Sequence, residues 1–308
     1  MRVLVTGVSG YVGAALAPAL EAQGHSVRGF ARSPERVAAA GVTLDELVTG
    51  DALTGSGLDE AMDGVEVAYY LIHSMEGPAG GAFAEQERRG AANFAAAADR
   101  AGVRRVVYLG GLVPQDGAVS RHLASRLAVE ETLIAAAPES IALRASIVIG
   151  ARSRSFRFLV RLIERLPVLA LPAWRSNRTR PIDGRDVLAY LAHAASAAAS
   201  LSGRSWDIAG PDTMTYEELI GRIAEAMLVD RPRLGLGITL TPIASQLAAA
   251  VAGEDPALIE PLMEGLEHDL LPRDDDAADA FGIRLHRFDA AVERALREWE
   301  QTEQVAAR

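Results

Sequence analysis

The stretch GVSGYVG, residues 7–13, constrains this chain more than any other. It directly follows an apolar, β-branched run, Arg2–Thr6, and opens an amphipathic stretch over 12–23 that ends at Gly24. Glycines placed there let the chain turn tightly between a strand and a helix. They also let main-chain N–H groups at the helix N-terminus come close to an anion, where the helix dipole favours negative charge. Glycines alone are a weak signal; their position between strand and helix makes them a strong one.

The alternation that begins at this loop continues. Residues 26–31, 43–48 and 66–72 read as strands, 83–101 as an alanine-rich helix ended by Gly102, 105–109 as a strand, 120–135 as a helix and 141–149 as a strand. Such alternation implies an α/β fold, a Rossmann-type doubly wound parallel sheet with helices on both faces. After Gly150 the rhythm changes. Residues 156–166 read as a helix, LPAWRSNRTRP as irregular, 182–200 as a helix and SWDIAG as a strand. In TYEEL, Thr215 and Glu218 have the spacing of a capping box, and Thr241–Pro242 is a similar helix start. Residues 234–253 are weakly polar and read as a buried or interface helix rather than a membrane span. The expected organisation is a nucleotide-binding domain over 1–150, to which 181–210 returns, and a smaller, mostly helical C-terminal lobe over 151–308 capping the substrate side.

Composition narrows the chemistry. With 308 residues, 49% hydrophobic and 23% charged, the chain is long enough for a large core and too apolar for disorder. A net charge of −10 gives no general attraction to nucleic acid or to an anionic membrane face. There is no cysteine, which excludes disulfides and thiolate chemistry, and no lysine, since all 31 basic residues are arginine. Schiff-base chemistry and the P-loop lysine are therefore excluded. The N-terminus runs straight into a strand and lacks the pattern of a signal peptide. A cytoplasmic protein is expected, acting on a small molecule as a monomer or homodimer, with no nucleic-acid or membrane partner. No metal site is expected either. The three consecutive acids of RDDDAADA, residues 273–280, do not converge on one ion and read as a helix start.

The cofactor reading follows from position. Gly7, Ser9, Gly10, Tyr11, Val12 and Gly13 would hold a pyrophosphate. Strand two ends in VRGFARSP, without the acid that usually holds the ribose hydroxyls of NAD; Arg32 with Ser33 suits a 2′-phosphate instead, so NADP(H) is expected. Asp51 and Ala52, after the third strand, suit the adenine or equally a turn. Leu71, Ile72 and His73 end the fourth strand on the edge where ligands bind in such sheets.

GVSGYVG, GDAL, YYLIHS, AGVRRVVYLGGL, LRASIVIG and SWDIAGPDTMTYEEL together resemble the short-chain dehydrogenase/reductase superfamily in its extended, atypical branch, over essentially the whole chain. The resemblance implies a serine at the end of strand five and a Tyr-x-x-x-Lys on the next helix. This chain departs from both. Gly110 and Gly111, on the cofactor edge, stand where the serine is expected, and His122-x-x-x-Arg126 stands where the tyrosine and lysine would be. With an ordinary pKa of about 6.5, His122 could move a proton near neutrality, while Arg126 would supply a fixed cation. Three functions remain open: an NADP(H)-dependent oxidoreductase acting on a small carbonyl, enone or quinone-like compound; a non-catalytic NADP(H) sensor similar to the nitrogen-metabolite-repression regulators; and an isomerase, dehydratase or epimerase using bound cofactor transiently. Arg154, Arg157, Arg161 and Arg165, with Arg175, Arg178 and Arg180, read mostly as a solvated face paired to acids. Trp174, in a loop, is expected near the substrate.

Overall fold

In the computed structural model, residues 1–72, 81–115, 121–236 and 265–303 are described, the side chains of 81–83, 121–122 and 265 excepted. Seven parallel strands form the central sheet: β1 (Arg2–Thr6), β2 (Ser26–Ala31), β3 (Glu46–Thr49), β4 (Val67–Tyr70), β5 (Arg105–Gly111), β6 (Ile141–Ala145) and β11 (Arg204–Ile208), in the spatial order β11-β6-β5-β4-β1-β2-β3. Strand order reverses between β1 and β4, which opens a crevice at their carboxyl ends.

Alternation along each strand assigns side chains to the two faces. Val3, Val5, Val67, Tyr69, Val107, Leu143 and Trp206 point to a core shared with α1 (Tyr11–Ala22) and α7 (Gly184–Ala194). Leu4, Ala68, Tyr70, Val106, Tyr108 and Ala142 point to the opposite core, under α3 (Leu58–Met62), α4 (Gly81–Ala101) and α5 (Arg121–Ile134).

Two expected elements divide. The apolar run 141–149 leaves the sheet at Ser146, whose N–H donates to Ile208 O at 3.1 Å, and resumes as the short β7 (Val148–Ile149). The expected helix 182–200 begins as a strand, β10 (Ile182–Asp183), paired in parallel with β7; the helix proper starts at Gly184, because buried Asp183 caps it by accepting the Arg185 N–H at 2.8 Å.

A separate core lies beyond the sheet. It joins α6 (Arg154–Arg165), β8 (Leu169–Leu171), α8 (Tyr216–Ala226) and α10 (Phe288–Glu300), around Phe156, Trp174, Leu219 and Trp299. The capping box at the start of α8 forms as expected: Thr215 accepts from Glu218 N and its own N–H donates to Glu218. Of the stretch 234–253, only its first residues are described; Leu234 and Gly235 lie in β13 (Arg233–Gly235), paired with β8, where a helix is expected. Thr241–Pro242 lies outside the described residues. The acidic stretch does precede a helix, α9 (Ala277–Phe281), but its residues are used singly: Arg273 binds Asp207 and Asp275 binds Arg180.

The strand arginines Arg105 and Arg144 are buried. Arg105 is fully enclosed and donates to the carbonyls of Ala194, Ala195 and Ala197, satisfying the C-terminal end of α7. Arg144, in β6, makes a bidentate pair with Glu130 of α5, with Nη2 2.6 Å from Oε1.

Candidate cofactor and active site

The glycine loop sits in the crevice between β1 and β4. Gly7 has φ +67, and a Cβ there would stand 2.6 Å from Leu71 O, so the turn requires glycine. Thr6 fixes the neighbouring strand: its hydroxyl donates to Tyr69 O at 2.8 Å and accepts from Leu71 N at 3.2 Å. Leu71 and Ile72 are thereby held beside the loop. A Cβ at Gly13 would collide with Gly7 O, so the third glycine lets α1 start tight against the strand end. Gly10 is exposed and occupies the N-cap of α1 without a side-chain cap, leaving the first-turn N–H groups of Tyr11, Val12 and Gly13 to an outside acceptor. Ser9 lies half-buried beside it. This cradle fits a pyrophosphate, with Gly10 the place where the backbone can approach it most closely.

The adenosine side is less open than the sequence suggests. Arg32, just past β2, is exposed. Ser33 caps α2 (Pro34–Ala39), accepting from Arg36 N at 3.2 Å, and donates to Glu35 at 2.6 Å. That bond is the main reason the Glu35 carboxyl lies below its ordinary pKa. An acid thus stands one turn beyond the strand end, inside α2 and outside the VRGFARSP stretch. Asp51 forms the turn that was one of its two readings: Oδ1 accepts from Leu53 N at 2.9 Å. Asn93 of α4 secures the same turn by donating to Ala52 O and Leu53 O.

On the other side of the crevice, Gly110 and Gly111 end β5, in register with Arg144 and Ala145. The direction of Tyr108 is now defined. It points under α4 and α5, and its ring covers Gly110, where a Cβ would lie 2.9 Å from the ring. At Gly111 a Cβ would find nothing nearer than Ala145 O at 4.0 Å.

Below this edge the sequence reading missed a buried polar cluster. Arg126 pairs with Glu87 of α4 at 3.3 Å, and Ser125 donates to the same carboxylate at 3.0 Å. The phenols of Tyr70 and Tyr108 lie beside them, their rings 6.4 Å apart. Burial raises both phenol pKa values and raises that of Glu87, with Arg126 and Ser125 pulling Glu87 back. The one sequence signal was Glu87 itself, an acid recurring on the otherwise apolar face of α4. Arg126 is therefore held in this buried cluster, with its charge answered by Glu87. His122 belongs to the first turn of α5, one turn before Arg126; its side chain, like His73, lies outside the described residues.

Five of the arginines expected on a solvated face are paired to acids, though Arg161 and Arg180 are largely covered. Arg157 and Arg161 stack on Trp299 at 4.1 and 5.1 Å and bind Glu303; Arg175, Arg178 and Arg180 bind Glu217, Asp269 and Asp275. Trp174 corrects its expectation. It is a core residue of the second lobe, edge-on to Tyr216 at 6.0 Å, because the short helical turn that carries it folds inward.

Residues 7–146 match the family model described as NAD(P)H-binding. Among curated proteins, the 3β-hydroxysteroid dehydrogenase/Δ5→4-isomerase of Mycobacterium tuberculosis is 34% identical over 115 residues, covering 35% of this chain and 30% of that protein. The chain thus spans about a third of that relative's length in the match. Among solved structures, the triphenylmethane reductase of Citrobacter sp., complexed with NADP(H), superposes with a TM-score of 0.73 at 17% identity over 96% of this chain and 100% of that one. The UDP-glucuronic acid 4-epimerase of Bacillus cereus, with UDP-glucuronic acid and NAD, gives 0.72 at 15% identity over 98% and 99%. At these identities the structures show the fold alone, a Rossmann-type doubly wound parallel sheet. Among the described residues, no helix is long and apolar enough to cross a membrane.

Proposed function

We propose that this protein is an NADP(H)-dependent oxidoreductase of the atypical short-chain type, acting on a small carbonyl, enone or quinone-like compound. The observation that carries the reading is the cradle at Gly7, Gly10 and Gly13, with exposed Arg32 at the end of β2. The dinucleotide, when bound, would give or take a hydride. The chain's own part is to hold the pyrophosphate on the N–H groups of α1, to place Arg32 against a 2′-phosphate, and to offer His122 as the group that gives or takes the substrate proton. Ser33 would turn from Glu35 toward the phosphate. At the end of β5, Gly111 would leave room for the bound dinucleotide or the substrate.

Calorimetric titration with NADPH and NADH tests the cofactor. NADPH should bind more tightly, and Arg32→Ala should weaken NADPH roughly 10- to 100-fold while leaving NADH unchanged, the scale of losing a charge-assisted bond. Equal affinity for both dinucleotides in the wild type would remove the preference. His122→Ala should lower kcat by roughly 10²- to 10⁴-fold with NADPH affinity intact.

The pairing of Arg126 with Glu87 and the bare glycines at the serine position favour a second reading, an NADP(H) sensor without catalysis. It would bind NADPH, show no turnover over a broad carbonyl panel, and change its binding to a protein partner with NADPH level even as His122→Ala.

A further inference from the structure

Tyr11 begins α1, and its backbone belongs to the anion cradle, yet its phenol leaves the crevice. The ring lies against Gly150, which follows β7, and Gly184, the first residue of α7. A Cβ at either glycine would collide with the phenol oxygen. Neither glycine has a positive φ, so their backbone conformations do not call for glycine; room for Tyr11 does. Arg294 and Glu298 of α10, Asp183 and Arg152 surround the phenol. Burial raises its pKa, with Glu298 and Asp183 adding to the rise and Arg294 and Arg152 opposing it, so it stays neutral near pH 7. Asp183 is held in turn by Arg294, Nη2 to Oδ1 2.9 Å, and by Arg185. The cradle, the chain after β7, the start of α7 and the last helix therefore meet on one side chain.

We propose that Tyr11 is a positioning residue that ties the dinucleotide cradle to the second lobe, so that filling the cradle and ordering α10 are coupled. The proposal rests on the cofactor reading above. Its physical basis is short. The Tyr11 N–H stands in the helix turn that would face the pyrophosphate, and hydrogen bonds weaken steeply as distance and angle degrade. Anything that displaces the ring drags that N–H. By reciprocity, an anion that fixes the turn holds the ring against Gly150 and Gly184, and through Asp183 and Arg294 against α10.

A mutant cycle tests it: wild type, Tyr11→Ala, Gly184→Ala and the double variant, each titrated with NADPH by calorimetry. Gly184→Ala should weaken NADPH roughly 5- to 50-fold although residue 184 lies outside the cradle, and should cost nothing further once Tyr11 is alanine. Gly150→Ala should behave the same way, which covers the case in which Gly184→Ala fails to fold; recovery of folding in Tyr11→Ala/Gly184→Ala would itself support the contact. Hydrogen exchange supplies a second readout: NADPH should slow exchange in α10 of the wild type and not of Tyr11→Ala. Additive costs in the cycle, or α10 protection that survives Tyr11→Ala, overturn the proposal alone. A wild type that binds neither dinucleotide overturns this proposal and the cofactor reading together.

Discussion

Thr6 shows how much of this site rests on single side chains. One buried hydroxyl satisfies a carbonyl and an N–H of the neighbouring strand, and so sets the height of Leu71 against Gly7. Valine has the same shape and neither function. Thr6→Val should cost about 1–3 kcal/mol in urea unfolding, the penalty of leaving buried polar groups unpaired. An unchanged unfolding midpoint would show that the strand pair needs no such stitch. Gly110 and Gly111 give a matched pair of substitutions at the same scale. Serine at 111 enters open space and should leave the melting temperature close to wild type. Serine at 110 meets the Tyr108 ring, and overpacking there should cost about 1–3 kcal/mol. If both serines behave alike, the Tyr108 ring does not decide which position can carry a side chain.

At the scale of elements, the start of α7 is where local sequence and tertiary structure meet. Burial alone would raise the pKa of Asp183; the bonds from Arg185, side chain and N–H, and the charge of Arg294 outweigh it and leave the carboxyl below its ordinary 3.8. A carboxyl with a depressed folded pKa contributes stability that is present above its unfolded value and is lost as pH falls through the folded one. Asp183→Asn should therefore be less stable than wild type near pH 7, by about 3–5 kcal/mol, since it leaves Arg294 without its buried partner. The gap should shrink as pH falls below about 4, where the wild-type carboxylate also gains its proton. A gap independent of pH would mean that the charge of Asp183 contributes nothing to the cap. This element also marks the limit of what can be read from sequence. The sheet and its helices were legible because the period of 2 or 3.6 persists over a whole element. Ile182–Asp183 is two residues long, too short to show a period, and so was absorbed into the helix that follows. The glycine loop was legible because its three glycines act on each other within one turn. The Arg126–Glu87 pair, the enclosure of Arg105 and the seat of Tyr11 join residues far apart in sequence, and an arginine's partner cannot be found from spacing. The burial of Arg105 and Arg144 was not legible, because sequence does not reveal that α7 ends over one and Glu130 lies over the other.

Among the described residues there are three apolar cores, two on the faces of the sheet and one in the second lobe. Lobes with separate cores can melt separately unless their interface is strong. Here buried carboxylates near the sheet are answered by groups from the C-terminal part: Asp183 by Arg294, Asp186 by the imidazole of His286 at 2.6 Å, and Asp207 by Arg273 at 2.7 Å. Arg294 belongs to α10, so separating the lobes would strip buried Asp183 of that partner, at a cost of several kcal/mol. One cooperative transition should result. The three tryptophans can report it, because Trp206 belongs to the sheet while Trp174 and Trp299 belong to the second lobe. With 5-fluorotryptophan in the otherwise unaltered chain, the fluorine signals of Trp206 and Trp299 should give the same thermal midpoint, coincidence of probes being the test of a two-state transition. Arg294→Ala should then separate the midpoints, with the Trp299 signal lost first, because α10 keeps its own core but loses its tie to Asp183. Saturating NADPH at about 100 times Kd should raise the wild-type stability by about 2.7 kcal/mol and move both signals together. If the Trp299 signal in the otherwise unaltered protein melts well before that of Trp206, the buried Asp183–Arg294 pair does not bind the lobes into one unit, and the coupling assigned to Tyr11 would have to act across a loose joint.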